Sequence, residues 1–327
     1  MRVVDIHAHL YPKAYLDLLA RVVANDGSPW ARAVAFLLDD RIVPNRRMWD
    51  VEAHIEDMDQ AGVEEEVLSL SCPMSYFSDE KDSVEAARIV NDSLAEICAR
   101  YPKRFRAFAS LPLPHTNASL KELDRAINDL GLHGVGLGAN ALHARAHLDD
   151  ERILPIYPEL SKRALTVFLH PAIPPGLEEM YEHEMWVSAG FLMDSTIAVL
   201  RLAHKGVFEQ NKGMKFVVPH LGTFLLAGID RVAGRRPAQV EGGRPVRDYM
   251  KELYYDSITA NEAFWDCAVS TVGLDRIVFG TDYPFPGPGS VARGIERISA
   301  LPIGDAEKEA IFSGTADRLL SSTPMSK

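Results

Sequence analysis

Residues 1–12 read MRVVDIHAHLYP, and the alternation within them decides the fold. Residues 2–4 and Ile6 read as a strand, while Asp5, His7 and His9 take alternate positions along it. Alternate side chains of a strand point to one face, so two imidazoles stand side by side where a first strand ends. Facing a core without a shared partner, such a pair would only lose hydration. The pair therefore asks what else converges on it.

Working outward, seven further β-prone runs follow: EVLSLS (66–71), RAFASL (106–111), GVGLG (134–138), LTVFLH (165–170), KFVVPH (215–220), ELYYDS (252–257) and RIVFGTD (276–282). Between them lie stretches such as SVEAARIVNDSLAEICARYP (83–102), whose apolar residues recur at helical spacing. Eight alternating units predict parallel pairing and a closed (β/α)8 TIM barrel, read as a single domain over residues 1–327. Two connections are long, residues 10–49 after the first strand and 171–193 after the fifth, and long loops at strand carboxyl ends usually serve the active site. The tail after 283 reads as the last barrel helix plus one extra C-terminal helix. Neither G-x-G-x-x-G after a strand nor G-x-x-x-x-G-K-[ST] occurs, which argues against a nucleotide fold.

The polar strand ends share one barrel mouth. The fifth run ends in His170, the sixth in His220 and the eighth in Asp282, joining His7 and His9 from the first. Three imidazoles and a carboxylate form an N3O set suited to zinc or a similar divalent ion with room for a water. A lone strand-end histidine is readily structural; the conjunction carries the case. His54, His115, His133, His143, His147, His183 and His204 lie in helical or loop stretches and read as structural, and Asp256 reads as a partner to the site or a helix cap.

Composition bounds the rest. The chain is 47% apolar and 25% charged, with no apolar run near the length of a membrane span. A formal net charge of -11 argues against nucleic acid as partner. Three cysteines without CxxC spacing give no disulfide framework, and the sequence opens directly on a strand, so the cytoplasm is expected.

These motifs are where the chain resembles a known family. DIHAHLYP, WDVEAHIEDMDQAGV (49–63), FLHP (168–171), GVFEQNKGMKFVVPHLG (206–222) and DRIVFGTDYPFP (275–286) resemble the amidohydrolase superfamily. Within it the likeness is to the metal-dependent, non-oxidative decarboxylases typified by 2-amino-3-carboxymuconate 6-semialdehyde decarboxylase. The resemblance implies decarboxylation of an aromatic or unsaturated, muconate-like acid, with hydrolysis of an amide, lactone or C–C bond, or hydration, as the alternative. It implies His7, His9, His170 and Asp282 as ligands of one divalent ion, Zn2+ expected and Mn2+ the other candidate. It implies His220 as the catalytic histidine; Asp282, itself a ligand, is the alternative proton carrier. HGVGLGAN lacks the strand-four lysine of two-metal members, and HLGT departs from the glycine run that commonly follows the strand-six histidine. For a substrate carboxylate the resemblance points to Arg41, with Arg46 and Arg47 in play. Arg231 matches an arginine that crosses into the neighbouring site of a homodimer. Trp186, Met74 and Phe77 are candidate pocket walls.

Overall fold

Short runs rich in branched residues, each bounded by a turn or a helix start, leave little freedom but strand for their backbone. The computed structural model describes residues 1–24, 26–232, 239–259, 261–287 and 289–321. Its barrel strands are β1 (Val4–His9), β2 (Glu65–Ser69), β3 (Phe105–Ala107), β4 (Gly134–Gly138), β5 (Thr166–His170), β6 (Lys215–Val218), β7 (Tyr254–Asp256) and β8 (Ile277–Val278). They pair in parallel as β1 to β3 and as β4 to β8. Parallel bridges between Ala109 and Val135 and between Ala8 and Tyr283 join the two sheets. Across the second seam, the Ile6 amide donates to the Phe279 carbonyl at 3.0 Å and the His9 amide to the Tyr283 carbonyl at 2.8 Å. The ring is closed, and the (β/α)8 barrel is observed.

Three details depart from the expected runs. β6 stops at Val218 because Pro219 has no N–H to continue the ladder, and His220 and Leu221 then take left-handed φ of 55° and 51°. β8 pairs with β7 through Ile277 and Val278, the chain then meets β1 at Phe279 and Tyr283, and Asp282 between them takes a left-handed φ of 59°. A hairpin of Asn140–Ala141 with Ala146–His147 follows β4, too short to show in any alternation.

The insertion after β1 is built rather than loose. Helices Lys13–Val23 and Pro29–Phe36 form nearly half of it, the second capped by Ser28 Oγ accepting from the Ala31 amide at 3.1 Å with proline in its first turn. Tyr11 and Tyr15 reach from it to the carbonyls of Cys72 (2.7 Å) and Pro73 (2.9 Å), tying it to the loop after β2.

At the opposite end, the helix Thr315–Leu320 plugs the barrel. Ala316, Leu319 and Leu320 complete an inner cluster with Val4, Ile6, Val67, Phe108, Phe168, Val217 and Val278. A helix carboxyl end leaves carbonyls without partners. Here Lys215 Nζ, from the start of β6, donates to the carbonyls of Arg318, Leu319 and Ser321 at 2.8, 3.1 and 2.9 Å, and Thr166 Oγ1 to that of Leu319 at 2.5 Å. The helix thus covers the end of the barrel opposite the strand carboxyl ends.

Candidate active site

Alternation along β1 does what the sequence implied: His7 and His9 are both fully buried, with ring centroids 4.8 Å apart. His170 ends β5 beside them, its ring 4.5 Å from that of His9. Asp282 arrives from the turn after β8. Gly280 makes that approach workable, since a Cβ there would lie 2.9 Å from His7 Cβ and 3.0 Å from Asp256 Cβ. Asp5 pins the two segments, accepting from the amides of His7 (3.0 Å) and Thr281 (3.1 Å).

One carboxylate oxygen is the focus. Asp282 Oδ1 lies 3.2 Å from His7 Nε2, 3.1 Å from His9 Nε2 and 3.6 Å from His170 Nε2. The other ring nitrogens are committed elsewhere. His7 Nδ1 donates to Asp256 Oδ2 at 2.7 Å and His170 Nδ1 to the Pro171 carbonyl at 2.8 Å. His9 Nδ1 lies 3.1 Å from Ser69 Oγ, which itself donates to the Ala8 carbonyl and so accepts from the ring. His9 and His170 thus carry their proton on Nδ1 and turn a bare Nε2 toward the carboxylate, acceptor facing acceptor, while His7, with Nδ1 on Asp256, directs Nε2 at Asp282 Oδ1.

Such a set suits a cation. Tetrahedral coordination at about 2.0–2.1 Å sets neighbouring ligand atoms roughly 3.4 Å apart, close to the observed separations, and the four ligand atoms all lie within 4.8 Å of one another. Electrostatics agree. Burial alone would keep His7 neutral, yet Asp282 and Asp256 beside it raise it to about 10, so the two carboxylates hold positive charge at the place a divalent ion would take. Burial, with His170 and His7 as neighbours, pushes His9 down to about 3, and burial lowers His170. Asp282 is held well below the usual carboxylate range: the surrounding imidazoles outweigh its burial. The donor set therefore fits one divalent ion.

His220 stands apart from those three rings. Its Nε2 lies 3.5 Å from Asp282 Oδ2, and among the described residues its buried Nδ1 has no partner. Its left-handed backbone is held by Asp256, which accepts from the His220 amide at 2.9 Å and the Leu221 amide at 2.7 Å while also taking the His7 proton. Asp256, read in the sequence as partner or cap, is the hinge between the ligand cluster and His220.

His170, His220 and Asp282 form the floor of a cavity of about 540 Å3. An ion with all its positions taken by protein would not open on such a space. Phe36, Met48, Phe191, Leu192 and Phe285 wall the cavity, and Ser71 Oγ reaches within 3.3 Å of His170. Arg41 lines it, paired with Glu184.

Other sequence candidates lie elsewhere. Arg47 is turned to Asp57, which also takes the Tyr283 hydroxyl, so its guanidinium does not line the cavity. Arg46 pairs with Asp50 on the surface. Trp186 is 1% exposed and packs behind the wall, between Phe36 and Phe191, rather than forming it. Met74 and Phe77 are core residues outside the lining. Arg231, on Ile229–Val232, is exposed and is not among the described residues that line this cavity. The sequence reading missed Ser69, Ser71 and Glu184. The serines continue in β2 and its end the alternation that exposed the histidines; Glu184 sits in an irregular loop with no such signal.

A family model described as amidohydrolase matches residues 4–321. The 2-amino-3-carboxymuconate-6-semialdehyde decarboxylase of Dictyostelium discoideum is 28% identical, covering 98% of this chain and 92% of that protein. The gamma-resorcylate decarboxylase of Rhizobium radiobacter is 30% identical over 84% of this chain and 88% of its own. Among solved structures, 2,6-dihydroxybenzoate decarboxylase from Rhizobium superposes with a TM-score of 0.79 at 26% identity, covering 98% of each chain.

Proposed function

The chain belongs to the amidohydrolase family, and from that premise we propose that it is a metal-dependent, non-oxidative decarboxylase of an aromatic or unsaturated carboxylic acid. The observation that carries the reading is the convergence of three Nε2 atoms on Asp282 Oδ1 at the floor of an open cavity. His7, His9, His170 and Asp282 would hold one divalent ion, zinc by expectation and manganese as the other candidate. Bound there, the ion supplies a Lewis acid that orients the substrate's oxygens and offsets their charge.

The chain's own groups manage the proton. As the carbon–carboxyl bond breaks, carbon dioxide leaves, and the electron pair left on carbon takes a proton. His220 delivers it, sharing it with Asp282 Oδ2 across 3.5 Å. Asp256 keeps His220 aimed by fixing its backbone. The apolar walls exclude water and stack on a flat substrate, and Arg41 at the rim holds it by hydrogen bonding.

The chain acts as one barrel domain in the cytoplasm, where its three unpaired cysteines remain reduced. A homodimer is the working form. Helix Phe191–Lys205 belongs to a stretch, Glu182–Lys205, apolar enough for a membrane span by composition, yet it buries Thr196, Val199 and Leu202 against the barrel. Its other face exposes Met193 and Ile197, and Phe224 is exposed as well, apolar surface that a second copy would cover.

Elemental analysis of the purified protein, combined with a panel of carboxymuconate and hydroxybenzoate acids while released carbon dioxide is followed, tests the proposal. The expected result is about one ion per chain with release from at least one acid. Metal without release from any acid overturns decarboxylation.

A further inference from the structure

The rim of the cavity carries a pairing that bears on which acids are accepted. Arg41 comes from the turn Leu37–Ile42 in the insertion after β1, and Glu184 from the turn Glu182–Glu184 after β5. They meet across the cavity mouth as an ion pair and both line the cavity, with side chains 50% and 45% exposed, whereas His170 at the floor is 4% exposed. Glu184 is not there by easy backbone choice. His183 and Glu184 both take left-handed φ, 56° and 53°, a conformation that non-glycine residues adopt at a cost and that tends to persist where it serves a site. Asp40 lines the same rim. The one guanidinium among the described lining residues is thus already neutralised, and the rim as a whole carries one positive and two negative side chains.

Resting on the decarboxylase reading, we propose that Glu184 is a specificity-determining residue. By occupying Arg41, it sets the cavity to accept acids whose second polar substituent is uncharged, such as a hydroxyl, and to disfavour acids bearing a second carboxylate at the rim. An uncharged hydroxyl can donate to Glu184 and accept from Arg41 at once, leaving the pair intact. A second carboxylate must displace Glu184 from Arg41 and then lie beside two acidic groups. Rejection by a like charge is a standard source of discrimination, distinct from added attraction for the favoured ligand.

The test compares 2-hydroxybenzoate with its 4-carboxy and 5-carboxy derivatives on the metal-loaded protein, by calorimetric binding and by kcat and KM. In wild type the monoacid binds more tightly. Glu184→Gln improves binding of the dicarboxylates relative to the monoacid by up to about fivefold, the upper size of a partly exposed charge effect. Adding Arg41→Met to Glu184→Gln removes that gain, since the freed guanidinium is what receives the second carboxylate. An unchanged mono-to-dicarboxylate ratio in Glu184→Gln overturns the proposal, as does a gain that survives loss of Arg41. Because the ratio is read from binding, failure of decarboxylation shows separately as absence of carbon dioxide from acids that bind with the expected ratio.

Discussion

Asp256→Asn probes the coupling between the metal cluster and His220. The wild-type carboxylate is fully buried and takes four donors: His7 Nδ1 at 2.7 Å and the amides of His220, Leu221 and Ile258 at 2.9, 2.7 and 3.1 Å. An asparagine of the same shape has one acceptor oxygen. If that oxygen stays toward His7 and the His220 amide, the new NH2 faces the Leu221 and Ile258 amides, and the conflict costs about 1–3 kcal/mol of stability. If it turns the other way, His7 Nδ1 loses its acceptor and its ring is no longer fixed with Nε2 toward Asp282. A charge-assisted bond of this kind contributes about 1.5–3 kcal/mol, so in the metal-bound state its loss lowers affinity by roughly 10- to 100-fold. The assay is a competition titration against a zinc chelator, paired with urea unfolding with and without metal. Affinity should fall by that factor, and the stability gained on adding metal should shrink by about 1.4–2.7 kcal/mol. Lower stability with wild-type metal affinity would refute the reasoning and leave Asp256 as an anchor for the backbone after β6 alone.

Gly280→Ala forces a Cβ to within 2.9 Å of His7 Cβ; metal affinity should drop at least about tenfold with the far-ultraviolet dichroism unchanged, and wild-type affinity would show that the close approach is dispensable. Lys215→Met strips donors from three carbonyls at the end of the plugging helix and should lower stability to urea by about 1–3 kcal/mol, a change below about 0.5 kcal/mol counting against its anchoring of that helix. Asp194 is buried, accepts from the Ala172 amide at 3.0 Å and from Asn140, and is raised by that burial to about 6. The folded state therefore holds its proton more tightly than the unfolded chain. Its stabilising contribution is complete below about pH 4 and lost as pH rises through about 6, a change of at most about 3 kcal/mol. Relative to Asp194→Asn, wild type should weaken by up to that amount between those limits in urea unfolding, and a difference that does not vary with pH would remove Asp194 as its source.

The barrel and its cluster were legible because both depend on short-range regularity. A period of two places His7 and His9 on one face of β1, and a polar residue ending an apolar run must lie at a strand end. The same regularity extends to Ser69, and it could have been used to find it. Arg47 was beyond its reach. Its neighbours in sequence resemble those of Arg41, and only Asp57, brought near by helix Val51–Ala61, turns it from the cavity. Trp186 likewise looks like a wall by composition, while packing against Phe36 and Phe191 places it one layer behind.

The sequence by itself determined the eight parallel units, the shared mouth and the residue types gathered there, since strand periodicity and strand-end position are local properties of the chain. Tertiary structure alone decided the tautomer each imidazole adopts, the hinge role of Asp256, and the pairing of Arg41 with a glutamate 143 residues away. Those depend on which distant atoms meet inside a low-dielectric cavity, where hydrogen-bond partners and charges, rather than local propensity, set the state of each group.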